Sequence, residues 1–199
     1  MKLYYSPGAC SLASDIILHE ARIDATYVKV DLKTHKTESG GDYRAINPKG
    51  YVPALQLDDG DVLTENVAVL GYLASLRPGL LPEKGMARWH AVEALAFVST
   101  EIHKAFKPFF DPTASDETKQ RAKDAISQRL ELVTKMLGER EFIVGDTFTV
   151  VDAYLFVMLR WVDQRGVKMP DALRRYAARL EQRPSVTAAL ELEGLRRAA

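Results

Sequence analysis

Lys2-Leu3-Tyr4-Tyr5-Ser6-Pro7-Gly8-Ala9-Cys10-Ser11-Leu12 is the stretch that decides how the first part of the chain folds. Lys2 to Tyr5 is a short β-prone run, and Ser6-Pro7-Gly8 stops it. From Ser11 to Ala21 the apolar residues Leu12, Ile16 and Ile17 follow the 3.6-residue period of a helix. A strand, a turn and a helix follow one another directly, and Cys10, the one cysteine of the chain, stands where the helix begins.

Thr26-Tyr27-Val28-Lys29-Val30 reads as a second strand, and the polar stretch from Lys33 to Asp42 reads as a loop. Asn47-Pro48-Lys49-Gly50 is a turn, and Val52-Pro53-Ala54-Leu55-Gln56-Leu57 leads into a third strand. Asp58-Asp59-Gly60-Asp61 is a hairpin turn into Val62-Leu63, after which Thr64 is expected to cap a helix from Glu65 to Leu76. Strands alternating with helices in this order predict a mixed sheet with helices on both faces, the order of a thioredoxin-like α/β domain.

Two prolines and two glycines between Pro78 and Gly85 mark a linker. The expected division is an N-terminal thioredoxin-like domain over residues 1–77, a linker over 78–85 and an all-α C-terminal domain over 86–199. In the last of these, Trp89, Val92, Leu95, Ala96, Ser99, Ile102 and Phe106 are read as one stripe of a long helix, with Pro108 near its end. Ala122, Ile126, Leu130, Val133 and Leu137 form a second stripe. Val150 to Val162 is apolar nearly all round, as suits the centre of a bundle, and Thr149 with Asp152 reads as a capping box. Pro170 opens a fourth helix with Leu173, Tyr176, Ala177 and Leu180, and a short helix follows Pro184.

Composition narrows the function classes. Lys plus Arg and Asp plus Glu both number 27, so the net charge is zero and nucleic acid is not an expected partner. No apolar run is long enough to span a membrane, and the first residues do not read as a signal peptide, so a cytoplasmic location is expected. One cysteine excludes an internal disulfide and a dithiol redox pair.

A thiol at a helix start faces unpaired N–H groups and the positive end of the helix dipole, which favour the thiolate. Cys10 is therefore expected to have a lowered pKa, with Ser11 adding a hydroxyl; the alternative is an inert, buried cysteine. Tyr5 is either a donor to the thiolate or a core aromatic. Val52-Pro53 offers either a backbone edge to an extended peptide or a simple edge proline. Glu65-Asn66 suits an amino-acid zwitterion, the helix start taking the carboxylate and Glu65 the amino group, or is an ordinary first turn.

Five blocks then resemble the bacterial beta class of glutathione transferases. They are Tyr5 to Ser14, Asn47 to Leu55, Leu63-Thr64-Glu65, Ser99 to Lys104 and Phe148 to Phe156, in that order over nearly the whole chain. The resemblance implies a homodimeric detoxifying transferase that uses glutathione as co-substrate, needs no metal, and binds in a cleft between its domains. Cys10 would meet the glutathione sulfur and His103 would lie near it as a second catalytic residue. Tyr5, Ser11, Val52, Pro53, Glu65, Asn66, Thr100, Glu101 and Lys104 would contact glutathione, Thr100 and Glu101 from the partner subunit. Where the family often carries a lysine for the glycyl carboxylate, this chain has His35 followed by Lys36. The asparagine often found one turn before the Thr-Glu pair is Ala96 here. Phe106, Phe109 and Trp161 would line a pocket for a small hydrophobic electrophile. Two other activities fit the same residues: glutathione-dependent thiol–disulfide exchange through a Cys10 mixed disulfide, and non-catalytic binding of glutathione or hydrophobic ligands by a dimer.

Overall fold

The first strand expected from the opening stretch is β1 (Lys2–Tyr5), and the helix after it is α1 (Leu12–Ala21). β2 (Thr26–Asp31), β3 (Lys36–Thr37), β4 (Ala54–Gln56), β5 (Val62–Thr64) and α2 (Asn66–Ser75) complete the series in this computed structural model, which describes residues 1–196. The strands form one sheet in the order β3-β2-β1-β4-β5. β1 runs parallel to β2, with Lys2 opposite Thr26, and antiparallel to β4, with Leu3 opposite Leu55. A parallel pair needs a crossover, and α1 supplies it. Successive side chains of β1 face opposite ways. Tyr4 joins Val30, Tyr43, Val52 and Ala54 in one apolar cluster, while Leu3 is buried on the other side. This is the thioredoxin-like arrangement.

Two local expectations change. β3 lies inside the stretch read as loop, where Asp31 pairs with Lys36 and Val30 with Thr37. Two residues are too few to show a period in sequence. Thr64 is the last residue of β5 and not a helix cap; the N-cap of α2 is Glu65, whose side chain makes no cap hydrogen bond.

The second unit, Leu81–Glu181, is helical. α3 (Gly85–Phe97) passes through a π turn (Val98–His103) and a 3₁₀ turn (Lys104–Phe106) into α4 (Lys107–Phe110). The buried face of this run is Ala91, Ala94, Leu95, Val98, Ile102 and Phe106. The expected stripe was therefore partly misplaced: Trp89 is 62% exposed, and small alanines carry the contact in its stead. α5 (Asp116–Leu137) opens on Ser115, whose hydroxyl accepts from the Thr118 N–H at 3.2 Å, and it buries all five residues of the expected stripe. α6 (Val150–Gln164) is buried at every position from Val150 to Val162 except Arg160, which explains its apolar sequence. α7 (Asp171–Glu181) packs on it through Leu173, Tyr176 and Leu180.

The capping box at the start of α6 is formed, and it does more than cap. The fully buried Asp152 carboxylate accepts from the Thr149 N–H (2.8 Å) and hydroxyl (2.8 Å), from the Ile143 N–H (2.9 Å) and from the Tyr176 hydroxyl (2.6 Å). Burial raises its pKa while these four donors pull the other way.

The last helix, α8 (Pro184–Leu192), departs from the expected division. Residues 182–196 belong to the first unit with Met1–Leu80, and α8 packs along α1. Arg183 gives two hydrogen bonds to the Glu20 carboxylate (2.8 and 2.6 Å), and the Ser185 hydroxyl adds a third at 2.5 Å. An apolar helix such as α1 must be covered on several sides, and α2 and α8 both contribute. Residues 197–199 of the expected helical domain lie outside the described residues.

Candidate active site

Cys10 sits in the turn between β1 and α1 and is only 8% exposed. Its Sγ donates to the Val52 carbonyl at 3.3 Å. The Cys10 and Ser11 backbone N–H groups lie at the same sulfur and lower its pKa, as the helix start predicts. Burial outweighs them, and with the carboxylates of Glu65 and Glu193 adding to it the thiol is pushed up to about 12. The lowered pKa expected from the sequence is thus reversed: the helix start acts in the expected direction but loses to desolvation.

Val52 is held in place from both sides. Pro53, joined to it by a cis peptide bond, leads into β4, whose paired register begins only at Ala54. Upstream, the Tyr51 carbonyl accepts from the buried Tyr43 hydroxyl at 2.6 Å and from Asn47 Nδ2 at 2.7 Å. Gly50 allows the turn at a φ of 71°, and the His35 ring sits against it so closely that a Cβ there would come within 2.8 Å of His35. His35 is itself at a φ of 54°, with Nδ1 buried and no hydrogen bond made to it. Lys36 is an exposed residue of β3.

Glu65 has a φ of 70°, an uncommon conformation for a residue with a side chain. Lys49 Nζ donates to its carboxylate at 2.5 Å and to the Thr64 hydroxyl at 3.1 Å. Asn66, first residue of α2 and 7% exposed, accepts from the Ser14 hydroxyl at 3.3 Å through Oδ1, while its buried Nδ2 makes no hydrogen bond. The first unit therefore brings Cys10, Val52, Pro53, Glu65 and Asn66 to the ends of β1, β4 and β5. Ser11 and Tyr5 are turned elsewhere. The fully buried Ser11 hydroxyl interacts with the Ser6 backbone (3.3 and 3.4 Å), and the Tyr5 ring stands edge-on to Tyr27 at 6.1 Å.

In the second unit His103 closes the π turn, and its Nδ1 lies 2.6 Å from the Tyr154 hydroxyl. Its ring stands edge-on to Trp161 at 5.1 Å. Phe106 is fully buried, so it serves the core and cannot line a ligand surface as expected. Phe109 packs on it, and Phe110, which has no distinguishing signal in the sequence, is 55% exposed with its ring 5.0 Å from Trp161. The Arg165 guanidinium lies over Phe110 at 5.4 Å. Thr100 donates to the Ala96 carbonyl at 3.0 Å, Glu101 pairs with Arg129 at 3.2 Å, and Lys104 is exposed. Lys49, Phe110, Tyr154 and Arg129 thus join the candidate set. Each is revealed by its contact with a candidate residue of its own unit: Lys49 with Glu65, Phe110 with Trp161, Tyr154 with His103 and Arg129 with Glu101.

The chain matches the family described as glutathione S-transferase, N-terminal domain, over residues 8–76, and the one described as glutathione S-transferase, C-terminal domain, over residues 97–184. It is 44% identical to glutathione S-transferase GstA of Escherichia coli O157:H7, over 98% of this chain and all of that one. A beta class glutathione S-transferase of Sphingomonas chungbukensis superposes with a TM-score of 0.94 at 46% identity, over 98% of this chain and all of the other. A sphingomonad glutathione S-transferase solved with glutathione does so at 0.93 and 47%, with the same coverage. Among the described residues no helix is long and apolar enough to cross a membrane. The sheet order, the all-α second unit and these matches together make the chain a member of the glutathione S-transferases, in their bacterial beta class.

Proposed function

We propose that this transferase joins glutathione to small hydrophobic electrophiles, with the glutathione thiolate as nucleophile and Cys10 as a hydrogen-bond donor to it. The observation that carries this reading is the Cys10 hydrogen bond to the Val52 carbonyl. It sets a protonated thiol beside the backbone that an extended tripeptide would pair with, just before the register of β4 begins. A thiol held up to about 12 is a poor nucleophile at neutral pH but a good donor. When glutathione binds, the single Cys10 S–H turns from the Val52 carbonyl, which takes the cysteinyl N–H in its place, to the glutathione sulfur, and with the Cys10 and Ser11 amides it favours the ionised form.

The remaining roles follow from the chemistry of each group. Val52, followed by Pro53, pairs with the cysteinyl backbone. The first turn of α2 takes the γ-glutamyl carboxylate, helped by the unpartnered Asn66 Nδ2. Glu65 takes the amino group, sharing its carboxylate with Lys49. His35 or Lys36 receives the glycyl carboxylate. His103 is assigned a catalytic part, and Thr100, Glu101 and Lys104 glutathione contacts in a homodimer, on the match of the Ser99-to-Lys104 stretch. The electrophile meets Phe109, Phe110 and Trp161. Tyr5 and the Ser11 hydroxyl receive no role, because their contacts lie elsewhere.

The test compares the parent protein with Cys10→Ala. With glutathione and 1-chloro-2,4-dinitrobenzene, the parent exceeds the uncatalysed rate and Cys10→Ala keeps part of that excess. With oxidised glutathione at pH 7, the parent gains glutathione only slowly by intact mass, because so few Cys10 thiols are ionised, and the variant gains none. Rapid gain of one glutathione by the parent at pH 7, absent in Cys10→Ala, favours exchange through a mixed disulfide, and complete loss of conjugation in a folded Cys10→Ala refutes a role limited to one hydrogen bond.

A further inference from the structure

We infer that Glu193, at the C-cap of α8, is a positioning residue for the turn that presents Cys10 to glutathione, an inference that rests on the role given to Cys10 above. The end of α8 is a Schellman motif: the Gly194 N–H bonds the Glu191 carbonyl at 3.1 Å and the Leu195 N–H bonds the Leu190 carbonyl at 2.8 Å. Gly194 takes the left-handed conformation that the motif needs, at a φ of 68°. This fixes where Glu193 and Leu195 point, and both meet Gly8. The Gly8 N–H donates to Glu193 Oε2 at 2.7 Å, and Leu195 lies 3.6 Å from where a Gly8 Cβ would stand.

Glu193 is a carboxylate only 6% exposed. Burying such a group is costly unless donors compensate it, so its place against the turn is a specific one. Gly8 precedes Cys10 by two residues, and within the turn the Ser6 N–H bonds Ser11 Oγ at 3.3 Å and the Ala9 N–H bonds the Ser6 carbonyl at 2.9 Å. These bonds are local, whereas the Glu193 contact comes from 185 residues away. At the end of this C-terminal segment Glu193 touches the turn itself. Arg183 and Ser185 hold Glu20, near the opposite end of α1.

The clamp also carries charge. The charged groups that bear on the Cys10 thiol are Glu65 at the N-cap of α2 and Glu193 at the C-cap of α8, with the Cys10 and Ser11 amides acting against them. The Tyr43 hydroxyl faces it from the 3₁₀ turn Tyr43–Ala45. Burial first and Glu193 second also raise the Tyr5 hydroxyl. Glu193 therefore fixes the turn and helps to keep its thiol protonated.

Three variants test this, each read by melting temperature, affinity for S-methylglutathione and the pH dependence of Cys10 alkylation by iodoacetamide. Glu193→Gln keeps an acceptor for Gly8 and removes the charge, so alkylation at pH 8 accelerates several-fold with affinity within about twofold of the parent. Glu193→Ala removes both, and affinity falls about tenfold, the scale of one charge-assisted hydrogen bond. Arg183→Gln loosens the same helix at its other end, lowering the melting temperature while leaving affinity and the alkylation profile in place. Parental affinity and alkylation in both Glu193 variants overturn the inference, whatever the melting temperature does. So does an affinity loss in Arg183→Gln equal to that in Glu193→Ala. If Glu193→Ala does not fold, an unchanged alkylation profile in Glu193→Gln is enough to reject it. In the parent, failure of S-methylglutathione to protect Cys10 from alkylation refutes the role of Cys10 itself, separately from the clamp.

Discussion

A pH series on the ligand-free protein gives the sharpest prediction. Cys10 is pushed from an ordinary 9.0 to about 12, chiefly by burial. Three units change the thiolate fraction about a thousandfold, so at pH 7 about one thiol in 10⁵ is ionised rather than about one in 10². Alkylation of Cys10 by iodoacetamide, followed by intact mass from pH 6 to 11, should rise about tenfold per pH unit with no plateau below pH 11. The same protein unfolded in urea should level off near the ordinary thiol value. Slow access to a buried sulfur lowers the whole curve but leaves its midpoint in place, so the midpoint isolates the electrostatic effect. A stability change accompanies it. The folded pKa is raised, so the protonated thiol favours the fold fully below pH 9, and this contribution disappears as pH rises from 9 to about 12. At 1.36 kcal/mol per unit it amounts to about 4 kcal/mol. A folded-state plateau with a midpoint at or below pH 9 would refute the reasoning and restore the activated thiolate.

Two further substitutions probe the second unit. Asp152→Ala leaves the Ile143 and Thr149 N–H groups and the Tyr176 hydroxyl without their shared acceptor. At about 1–3 kcal/mol for each stranded donor, partly relieved by water, the loss should be about 4 kcal/mol, or roughly 8–16 °C in melting temperature by calorimetry; a shift under about 3 °C contradicts it. Phe110→Ala removes the exposed ring against Trp161 and should raise the KM for 1-chloro-2,4-dinitrobenzene about fivefold, as for an aromatic contact of ~1 kcal/mol, with the KM for glutathione unchanged. Equal effects on both KM values would remove Phe110 from the electrophile surface.

What the sequence made legible follows from the range of each interaction. The stripe on α5 was readable because its spacing of four, four, three and four is a local property of one helix. The α6 capping box was readable for the same reason, since Thr149 and Asp152 are three residues apart. The α3 face was misread because alanine carries little hydrophobic signal and Trp89 carries much, although Ala91 and Ala94 make the contact. The site divides along the same line. The helix start at Cys10, Val52-Pro53 and Glu65-Asn66 are local signatures. The Lys49 bridge to Glu65, the His103 contact with Tyr154 and the desolvation of Cys10 arise only when distant segments meet.

The return of α8 to the first unit has a consequence for synthesis. Glu20 meets Arg183 across 163 residues and Gly8 meets Glu193 across 185. On a ribosome adding about 5–20 residues per second, the Glu20 side chain waits roughly ten to thirty seconds for its partner. Until then the apolar face of α1 that α8 covers has no native cover, while every residue of the second unit has already been made. The first unit to begin is therefore the last to finish, and a chain cut short before residue 182 would damage the end that was translated first.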